Sequence, residues 1–346
     1  RDLAVATPFR SSDHNPMVMG LKLPTLADAG KVTDVQIVGV NDFHGRLIAD
    51  SSDGGAAALG GAVNELRDEY GADKTLFVSG GDNVGASTFE SFTAHDKPSL
   101  DALTSIGLDV STVGNHEFDG QASLGANNVG WKDLVNRLMK PYDPTTNPYG
   151  PAASAKDPDG MPYLAANVID NATGKPVAPP TAEKSITLDS GKTVKIGFVG
   201  TVTPDLVSLE SPANLAGVTV QNPAQTIATI NKYADQLKQS GDAIVVLLTH
   251  EGAASTDCST LLDSGSFANE LNGLDDNVDA VLSGHTHLEY ACSMDKDATT
   301  SNPLTTRPVM QAARTAWRSP SSSTPSTPTA CRPTSPRTSP ASRSGE

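Results

Sequence analysis

The chain has 346 residues, of which 25 are lysine or arginine and 40 are aspartate or glutamate, giving a formal net charge of −15 at pH 7. This acidic balance disfavours non-specific nucleic-acid binding, which depends on cationic contacts to phosphates, and no apolar run is long enough to span a bilayer. The length allows two domains, but about 280 residues follow one continuous α/β pattern.

The first 24 residues stand apart from that pattern. They end in a short predicted strand, and Ser12–Pro16 (SDHNP) resembles the closing motif of the endonuclease/exonuclease/phosphatase superfamily, in which the histidine is the general base. So short a segment cannot build a hydrophobic core. We therefore interpret residues 1–24 as a remnant of an upstream nuclease domain, with a coincidental surface Asp-His pair as the alternative.

From residue 32 onwards, five apolar runs are predicted to be β-strands, and each precedes a segment rich in metal-binding side chains. The runs are Val35–Val40, Thr75–Val78, Val110–Val113, Ala243–Leu248 and Val278–Leu282. The segments that follow are Asn41–Gly45 (NDFHG), Gly81–Asn83 (GDN), Gly114–Asp119 (GNHEFD), Thr249–Gly252 (THEG) and Gly284–His287 (GHTH). Since loops at the carboxyl ends of parallel strands converge on one crevice, these side chains are predicted to form one site.

Helical patterns fill the connections between these strands. Apolar residues recur at three- and four-residue spacing in Gly61–Tyr70, Ser99–Ile106, Trp131–Met139 and Pro223–Gln239. Asn222 is the predicted N-cap of the last helix. Lys184–Val202 predicts a hairpin around an Asp-Ser-Gly turn, and Pro308–Ala312 predicts a further strand. The pattern indicates an α/β fold with two mixed sheets between helices.

The residue types in the five segments indicate a two-metal hydrolase. A pair of divalent ions about 4 Å apart can clamp the attacking and leaving oxygens of a phosphoryl displacement. Asp42 and His44 lie two residues apart, so both side chains project to one side of an extended strand end, and His285 and His287 repeat this geometry. Asp82 is the predicted bridging carboxylate. Imidazole with carboxylate suits Zn, Mn, Fe or Co, and the absence of thiolates argues against a closed structural zinc site.

These five motifs, in this order and at this spacing, resemble those of the calcineurin-type metallophosphoesterases, specifically the 5′-nucleotidase family, over residues 32–312. The resemblance implies the metallophosphoesterase fold, a four-layer αββα sandwich. It also implies hydrolysis of small phosphoesters by a hydroxide that bridges two metal ions. The implied substrates are nucleoside monophosphates, UDP-sugars or 2′,3′-cyclic nucleotides, so the expected role is nucleotide catabolism.

The resemblance also implies a role for each matched residue. The first ion would be held by Asp42, His44, Asp82 and His287. The second ion would be held by Asp82, Asn115, His250 and His285. His116, oriented by Asp119, would be the catalytic imidazole, and Asn115 would help it to stabilise the developing charge.

The same motifs also have simpler interpretations. A single histidine at a strand end is more often a capping or surface residue than a ligand, and Glu117 and Glu251 are interpreted as structural. One rival function is a non-catalytic module that binds metal or nucleotide, disfavoured because neither a ligand nor His116 is missing. Another is a hydrolase of the same fold that acts on other esters, including sulfur-linked ones.

Cysteine usage and the expected family both favour an extracytoplasmic protein, secreted or at the cell surface. Cys258 and Cys292 could form a disulfide beside the site, with two free thiols as the alternative. Cys331 lies in the C-terminal tail. No signal peptide is visible, although the chain starts at Arg1 rather than at methionine.

Residues 313–346 differ in composition from everything before them. They are nearly all Ser, Thr, Pro, Arg and Ala, which predicts disorder. A linker and a glycosylated stalk are possible interpretations. We favour a frameshift in GC-rich DNA, because synonymous codons exist for which the neighbouring frame of Arg314–Glu346 encodes strand-like sequence. The family's second domain, which holds the nucleotide base, would then be missing, and weak, poorly selective activity is expected.

Overall fold

The computed structural model describes residues 3–5, 17–24, 32–49, 54–153, 158–295 and 306–312. These residues form two six-stranded sheets and one small three-stranded sheet, with helices between their strands. Within these ranges, no helix combines the length and the apolar character that a membrane crossing requires.

The first sheet carries three of the five predicted metal-binding segments. In pairing order, its described strands are β1 (Leu3–Val5), β2 (Met17–Pro24), β3 (Val32–Val40), β4 (Thr75–Ser79), β5 (Val110–Thr112) and β6 (Tyr163–Leu164). Strands β3 to β6 run parallel, and β1 and β2 extend the sheet as antiparallel strands. The loops after β3, β4 and β5 therefore leave the same edge of the sheet.

The second sheet carries the other two segments. A small third sheet contains β7 (Val168–Asp170), β8 (Lys175–Pro176) and β11 (Val218–Val220). Its strands β7 and β8 come before the second sheet in the sequence, and β11 lies between two strands of that sheet. The second sheet itself consists, in chain order, of β9 (Thr181–Thr187), β10 (Thr193–Val202), β12 (Ile244–His250), β13 (Ala280–Ser283), β14 (Tyr290–Asp295) and β15 (Thr306–Gln311). Strands β10, β12, β13 and β15 are parallel, while β9 and β14 pair antiparallel at the two ends. The predicted hairpin and the predicted strand near Pro308 are both confirmed.

The helices follow the predicted pattern with two differences. The α-helices are α1 (Gly55–Tyr70), α2 (Phe89–Phe92), α3 (Lys97–Ile106), α4 (Trp131–Asp133), α5 (Leu206–Leu209), α6 (Pro223–Gln239) and α7 (Ser266–Gly273). Helix α1 begins at Gly55, earlier than the predicted Gly61. Glycine is a weak helix former, but the burial of Leu59 stabilises the first turns. The predicted helix from Trp131 continues beyond α4 as a π-helical turn, Leu134–Leu138.

The predicted start of α6 is confirmed in detail. The Asn222 side chain accepts a hydrogen bond from the Gln225 backbone N–H at 3.0 Å, and the Gln225 side chain accepts one from the Asn222 N–H at 3.1 Å. This reciprocal pair is a capping box, which satisfies two donors that the helix end leaves open.

Three apolar cores separate four layers. Along β3, Val35 and Ile37 face the core between the two sheets, whereas Val38 and Val40 face the core under α1 and α3. The third core, between the second sheet and helices α6 and α7, contains Val199, Ile230, Leu237, Val245, Leu247 and Phe267. Parallel strands covered on both faces have continuous apolar sequences because both alternating sets of side chains are buried. The predicted αββα sandwich is therefore confirmed.

The two ends of the chain are less fully described. Residues 17–24 form β2, which pairs with β3, whereas His14 and its motif lie outside the described residues. The origin of residues 1–24 in a nuclease domain stays a prediction. The Ser/Pro/Arg-rich tail, residues 313–346, also lies outside the described residues, so its predicted disorder and frameshift stay predictions.

A disulfide between Cys258 and Cys292 confirms the predicted pairing, with a Cα–Cα distance of 5.4 Å. It joins the short 3₁₀ turn Cys258–Thr260 to β14 and encloses the segment that carries His285 and His287. Closing a loop of 34 residues stabilises a fold by roughly 3 to 4 kcal/mol in the chain-entropy account. The bond therefore restrains a loop beside the candidate site.

Candidate metal and active site

All seven predicted ligands meet at the carboxyl ends of the parallel strands. Asp42 and His44 follow β3, Asp82 follows β4, and Asn115 follows β5. His250 is the last residue of β12, and His285 and His287 follow β13. Asp42, His44, Asp82, Asn115 and His250 are buried, although polar side chains ordinarily stay at the surface.

The carboxylates of Asp42 and Asp82 lie at the centre of the cluster. His250 Nε2 is 3.1 Å from Asp82 Oδ2, and His44 Nε2 is 3.7 Å from the same oxygen. His287 Nε2 is 3.0 Å from Asp42 Oδ1. Three overlapping sets of side chains each bring their donor atoms within 4.8 Å of one another: Asp42, His44 and His287; His44, Asp82 and His116; and Asp42, Asp82 and His250.

Asn115 and His285 are the remaining predicted ligands, and Asn115 links His285 to His250. Its Oδ1 lies 3.2 Å from His250 Nε2 and 3.0 Å from His285 Nδ1. The imidazole rings of His250 and His285 meet edge to face, with centroids 5.2 Å apart. The structure thus brings together every residue that the sequence predicted as a ligand, and the division of these residues between two ions stays a prediction.

Two of the imidazoles are oriented by backbone carbonyls. His44 Nδ1 is 2.7 Å from the Gly85 carbonyl oxygen, and His250 Nδ1 is 2.7 Å from the Gly80 carbonyl oxygen. A carbonyl can only accept, so in each ring Nδ1 carries a hydrogen and Nε2 is the nitrogen that faces the carboxylates. This is how proteins prepare a neutral histidine to ligate a metal.

The electrostatics of the cluster fit a bound cation. Burial alone would raise the pKa of Asp82, but His250 and His44 hold it below its ordinary value. Burial alone would lower the pKa of His250, but Asp82 and Asp42 raise it above its ordinary value. The two buried carboxylates therefore draw positive charge onto a buried imidazole. A divalent ion would supply that charge through oxygen and nitrogen donors of the types found here.

Several candidate ligands have a strained backbone. Among the described residues, non-glycine residues with positive φ include Asp42 (52°), His44 (45°), Asp82 (53°), His285 (74°) and His287 (56°). The left-handed region costs a non-glycine residue of order 1 kcal/mol or more, and such strain persists where the surrounding fold imposes it. Strands β3, β4 and β13 thus lead into left-handed turns that carry candidate ligands.

Two glycines allow the loops after β4 and β5 to approach closely. A Cβ on Gly114 would lie 2.0 Å from Asp82 Oδ1, and a Cβ on Gly81, whose φ is +93°, would lie 2.7 Å from the Gly114 nitrogen. Neither position therefore accepts a side chain. The backbone contact brings Asp82 next to the segment that carries Asn115 and His116.

His116 and Asp119 form a pair at the edge of the cluster. His116 Nδ1 lies 2.9 Å from Asp119 Oδ2, and about a third of each side chain is exposed, 30% and 40%. Burial lowers the pKa of His116, but the Asp119 contact and nearby Asp82 raise it to about 9. The backbone N–H of His116 also donates to Asp82 Oδ1 at 2.9 Å. An accessible imidazolium beside such a group of candidate ligands can donate a proton or stabilise a developing negative charge.

Two supporting residues within the motifs had no predicted site role. Glu117 is buried and accepts hydrogen bonds from the backbone N–H groups of Asp82 (2.9 Å), Asn83 (2.8 Å) and Gly114 (2.5 Å). Asn41 donates to Asp42 Oδ2 and accepts from the Ala312 N–H, which ties the end of β15 to Asp42. Their only sequence signal is their position next to candidate ligands.

Replacing Glu117 with alanine is expected to lower stability and metal affinity together. Three backbone donors would lose their buried acceptor, at about 1 to 3 kcal/mol each. Supporting partners of a metal site typically contribute 10- to 100-fold to metal affinity. Urea unfolding and metal titration would measure both quantities. Glu65→Ala, on the exposed surface of α1, is the control, and unchanged metal affinity in Glu117→Ala would contradict the anchoring role.

Comparison with known proteins identifies relatives for most of the chain. The sequence profile described as calcineurin-like phosphoesterase matches residues 35–289. The chain is 31% identical over 311 residues to the cell wall protein Lmo0130 of Listeria monocytogenes, covering 81% of this chain and 37% of that protein. It is 30% identical over 244 residues to the 2′,3′-cyclic-nucleotide 2′-phosphodiesterase/3′-nucleotidase of Salmonella typhimurium, covering 68% of this chain and 32% of that protein.

Solved structures agree on the fold. The calcineurin-like phosphoesterase YfkN of Bacillus subtilis superimposes with a TM-score of 0.54 at 19% identity, covering 81% of each chain. At this identity the likeness establishes the fold alone. The present chain spans only about a third of the length of the two curated relatives, 37% and 32%.

Proposed function

Because the chain belongs to the calcineurin-like phosphoesterase family, we propose that it is a divalent-metal-dependent hydrolase of nucleotide phosphoesters of the 5′-nucleotidase type. The observation that carries this proposal is the convergence of two buried aspartates, four histidines and Asn115 from five strand ends, with His116 and Asp119 beside them. The proposed substrates are nucleoside monophosphates, UDP-sugars and 2′,3′-cyclic nucleotides. The name of the Salmonella relative includes two of the corresponding activities.

The proposed site holds two divalent ions, of Zn, Mn, Fe or Co. Asp42, His44, Asp82 and His287 would hold the first ion. Asp82, Asn115, His250 and His285 would hold the second. Bound ions would supply Lewis acidity toward the phosphoryl oxygens and would activate water at neutral pH.

The chain's own residues would supply positioning and proton transfer. Asp119 contacts His116 Nδ1, so Nε2 would be the ring nitrogen that acts on the substrate. From that position it would stabilise negative charge on the phosphoryl group or protonate the leaving oxygen. Asn115, held between His250 and His285, would fix the edge of the site nearest to that proton donor.

An extracytoplasmic location is part of the proposal. The Cys258–Cys292 disulfide is typical of proteins that fold in an oxidising compartment. The Listeria relative is named as a cell wall protein. The proposal therefore places the chain outside the cytoplasm, acting on small phosphoesters.

A substrate panel with metal-loaded protein tests the function. We expect phosphate release from at least one of 5′-AMP, 3′-AMP, 2′,3′-cyclic AMP and UDP-glucose, with loss of activity on chelation and recovery on return of Mn²⁺ or Zn²⁺. Nucleotide binding without turnover would favour a binding module. Turnover of thiosulfate esters alone would indicate a same-fold hydrolase of other substrates.

A further inference from the structure

The loop after β4 contacts both parts of the proposed site through Gly85. The Gly85 carbonyl oxygen lies 2.7 Å from His44 Nδ1, and Ser87 Oγ donates to the same carbonyl at 3.2 Å. A Cβ on Gly85 would lie 2.6 Å from His116 Cβ and 2.7 Å from Asp119 Oδ2. The Gly85 backbone therefore packs directly against the proposed catalytic pair, and its position affects a candidate ligand and that pair at once.

A buried carboxylate at the start of α3 holds Gly85. Asp96 is 2% exposed, and its Oδ2 accepts a hydrogen bond from the Gly85 N–H at 3.2 Å. Its Oδ1 accepts from Ser91 Oγ at 2.8 Å, and Ser91 Oγ lies 2.5 Å from Ser99 Oγ. Both serines are fully buried. A buried carboxylate is costly unless it is hydrogen-bonded, and here each oxygen has a partner.

The backbone around Asp96 gives this carboxylate a fixed origin. The Asp96 N–H donates to the Ser91 carbonyl at 2.9 Å, and helix α3 buries Leu100 and Leu103 in the core that it shares with α1. His95 and Asp96 both have positive φ, 54° and 62°. Such a conformation costs a non-glycine residue of order 1 kcal/mol or more and persists where the surrounding fold imposes it. The Asp96 carboxylate thus reaches Gly85 from a strained but anchored turn.

The same loop is joined to the His44 segment beyond Gly85. The Thr88 N–H donates to the His44 carbonyl at 3.1 Å, and Thr88 Oγ1 donates to the Gly45 carbonyl at 2.5 Å. The loop therefore lies between the His44 segment and α3. The hydrogen bond from Gly85 to Asp96 fixes the loop to the helix.

We propose that Asp96 is a positioning residue of the metal site, acting through Gly85. Its carboxylate holds the Gly85 backbone, so that the Gly85 carbonyl orients the His44 imidazole and the Gly85 Cα packs beside His116 and Asp119. The inference rests on the proposed function, because that function assigns His44 to a metal ion and His116 to catalysis. No feature of the metal-binding segments themselves includes Asp96.

Two substitutions at Asp96 test this role. Asp96→Gly removes the carboxylate, and glycine adopts a φ of 62° without strain. We expect the dissociation constant for Zn²⁺ to rise about ten-fold and kcat at saturating Zn²⁺ to fall about ten-fold, because outer partners of a metal site typically contribute 10- to 100-fold. Asp96→Asn should keep both within two-fold of wild type, since its amide oxygen can accept from Gly85 and its amide nitrogen can donate to Ser91 Oγ. Wild-type Zn²⁺ affinity and kcat in Asp96→Gly would overturn the proposal.

Asp109→Ala is the matched control for lost stability. Asp109 is also buried, and its Oδ2 accepts a hydrogen bond from the Phe77 N–H at 2.9 Å. It precedes β5, so it lies at the opposite end of that strand from the candidate ligands. Asp109→Ala should lower the free energy of unfolding while Zn²⁺ affinity and kcat stay within two-fold of wild type. An equal loss of Zn²⁺ affinity in Asp109→Ala and Asp96→Gly would indicate general destabilisation and overturn the positioning role.

Hydrogen exchange followed by NMR needs neither turnover nor a folded variant. In wild type with Zn²⁺ added, the Gly85 N–H and the His44 Nδ1–H should both exchange slowly with solvent, because each is hydrogen-bonded. In Asp96→Gly both should exchange faster, and in Asp96→Asn both should stay slow. Fast exchange of the Gly85 N–H in wild type would overturn the contact. If wild type hydrolysed none of the phosphoesters, the proposed function would fail, and Zn²⁺ affinity together with exchange would still decide whether Asp96 positions His44.

Discussion

Replacing Asp82 with asparagine is expected to abolish turnover and to deplete bound metal. The Asp82 carboxylate is 2% exposed, and its Oδ2 lies 3.1 Å from His250 Nε2 and 3.7 Å from His44 Nε2. In the proposed site, Asp82 is the carboxylate that is shared by both ions. The neutral amide has almost the same shape but removes the anionic charge that a divalent cation requires. Metal-ion catalysis contributes several kcal/mol of transition-state stabilisation, so kcat should fall by at least about 10³-fold.

Two measurements on Asp82→Asn decide the bridging role. Metal per chain, determined by mass spectrometry after exhaustive dialysis, should fall well below the wild-type value. Asp68→Asn, on the exposed surface of α1, should retain both metal and activity. A stoichiometry near two ions in Asp82→Asn would refute the assignment of Asp82 as the bridge.

Replacing His116 with alanine should lower kcat while leaving metal content close to wild type. The ring lies at the exposed edge of the cluster and is held by Asp119, whereas the contact with Asp82 Oδ1 comes from the His116 backbone. Loss of a positioned proton donor typically reduces the rate 10²- to 10⁴-fold. Steady-state kinetics together with metal analysis of the same preparation would measure both effects.

The outcome for His116 separates three roles. The donor atoms of His44, Asp82 and His116 also lie within 4.8 Å of one another, so a role as ligand is geometrically possible. Metal loss equal to that of Asp82→Asn would assign His116 as a ligand. Unchanged turnover would favour a binding module. His95→Ala is the matched control, because the His95 ring packs against Tyr149 and contacts Gln121 rather than the cluster.

The candidate ligands could be found from sequence because their signals are local. Asp42 and His44, like His285 and His287, come directly after strands whose apolar residues fill both faces of a sheet. Parallel strands carry such side chains to one edge, so their convergence follows from strand order alone. No local pattern predicts the left-handed backbone of these residues, because an aspartate or histidine adopts that conformation only where the fold imposes it.

The supporting contacts were decided by the tertiary structure alone. The sequence indicates only a structural role for Glu117, and the packing of the β4 and β5 loops shows that it accepts the Asp82 N–H. Asn41 gains its role from Ala312, at the opposite end of the catalytic region.

Sequence by itself determined the layered α/β fold, the five strand ends and the chemistry of the side chains placed there, because periodicity and residue type are properties of short segments. Tertiary structure decided which groups hold those side chains in place. Glu117 shows the difference most clearly: its hydrogen bonds from the Asp82 and Asn83 N–H groups exist only because the loops after β4 and β5 pack together. Such contacts join distant segments through packing geometry, which a local pattern does not encode.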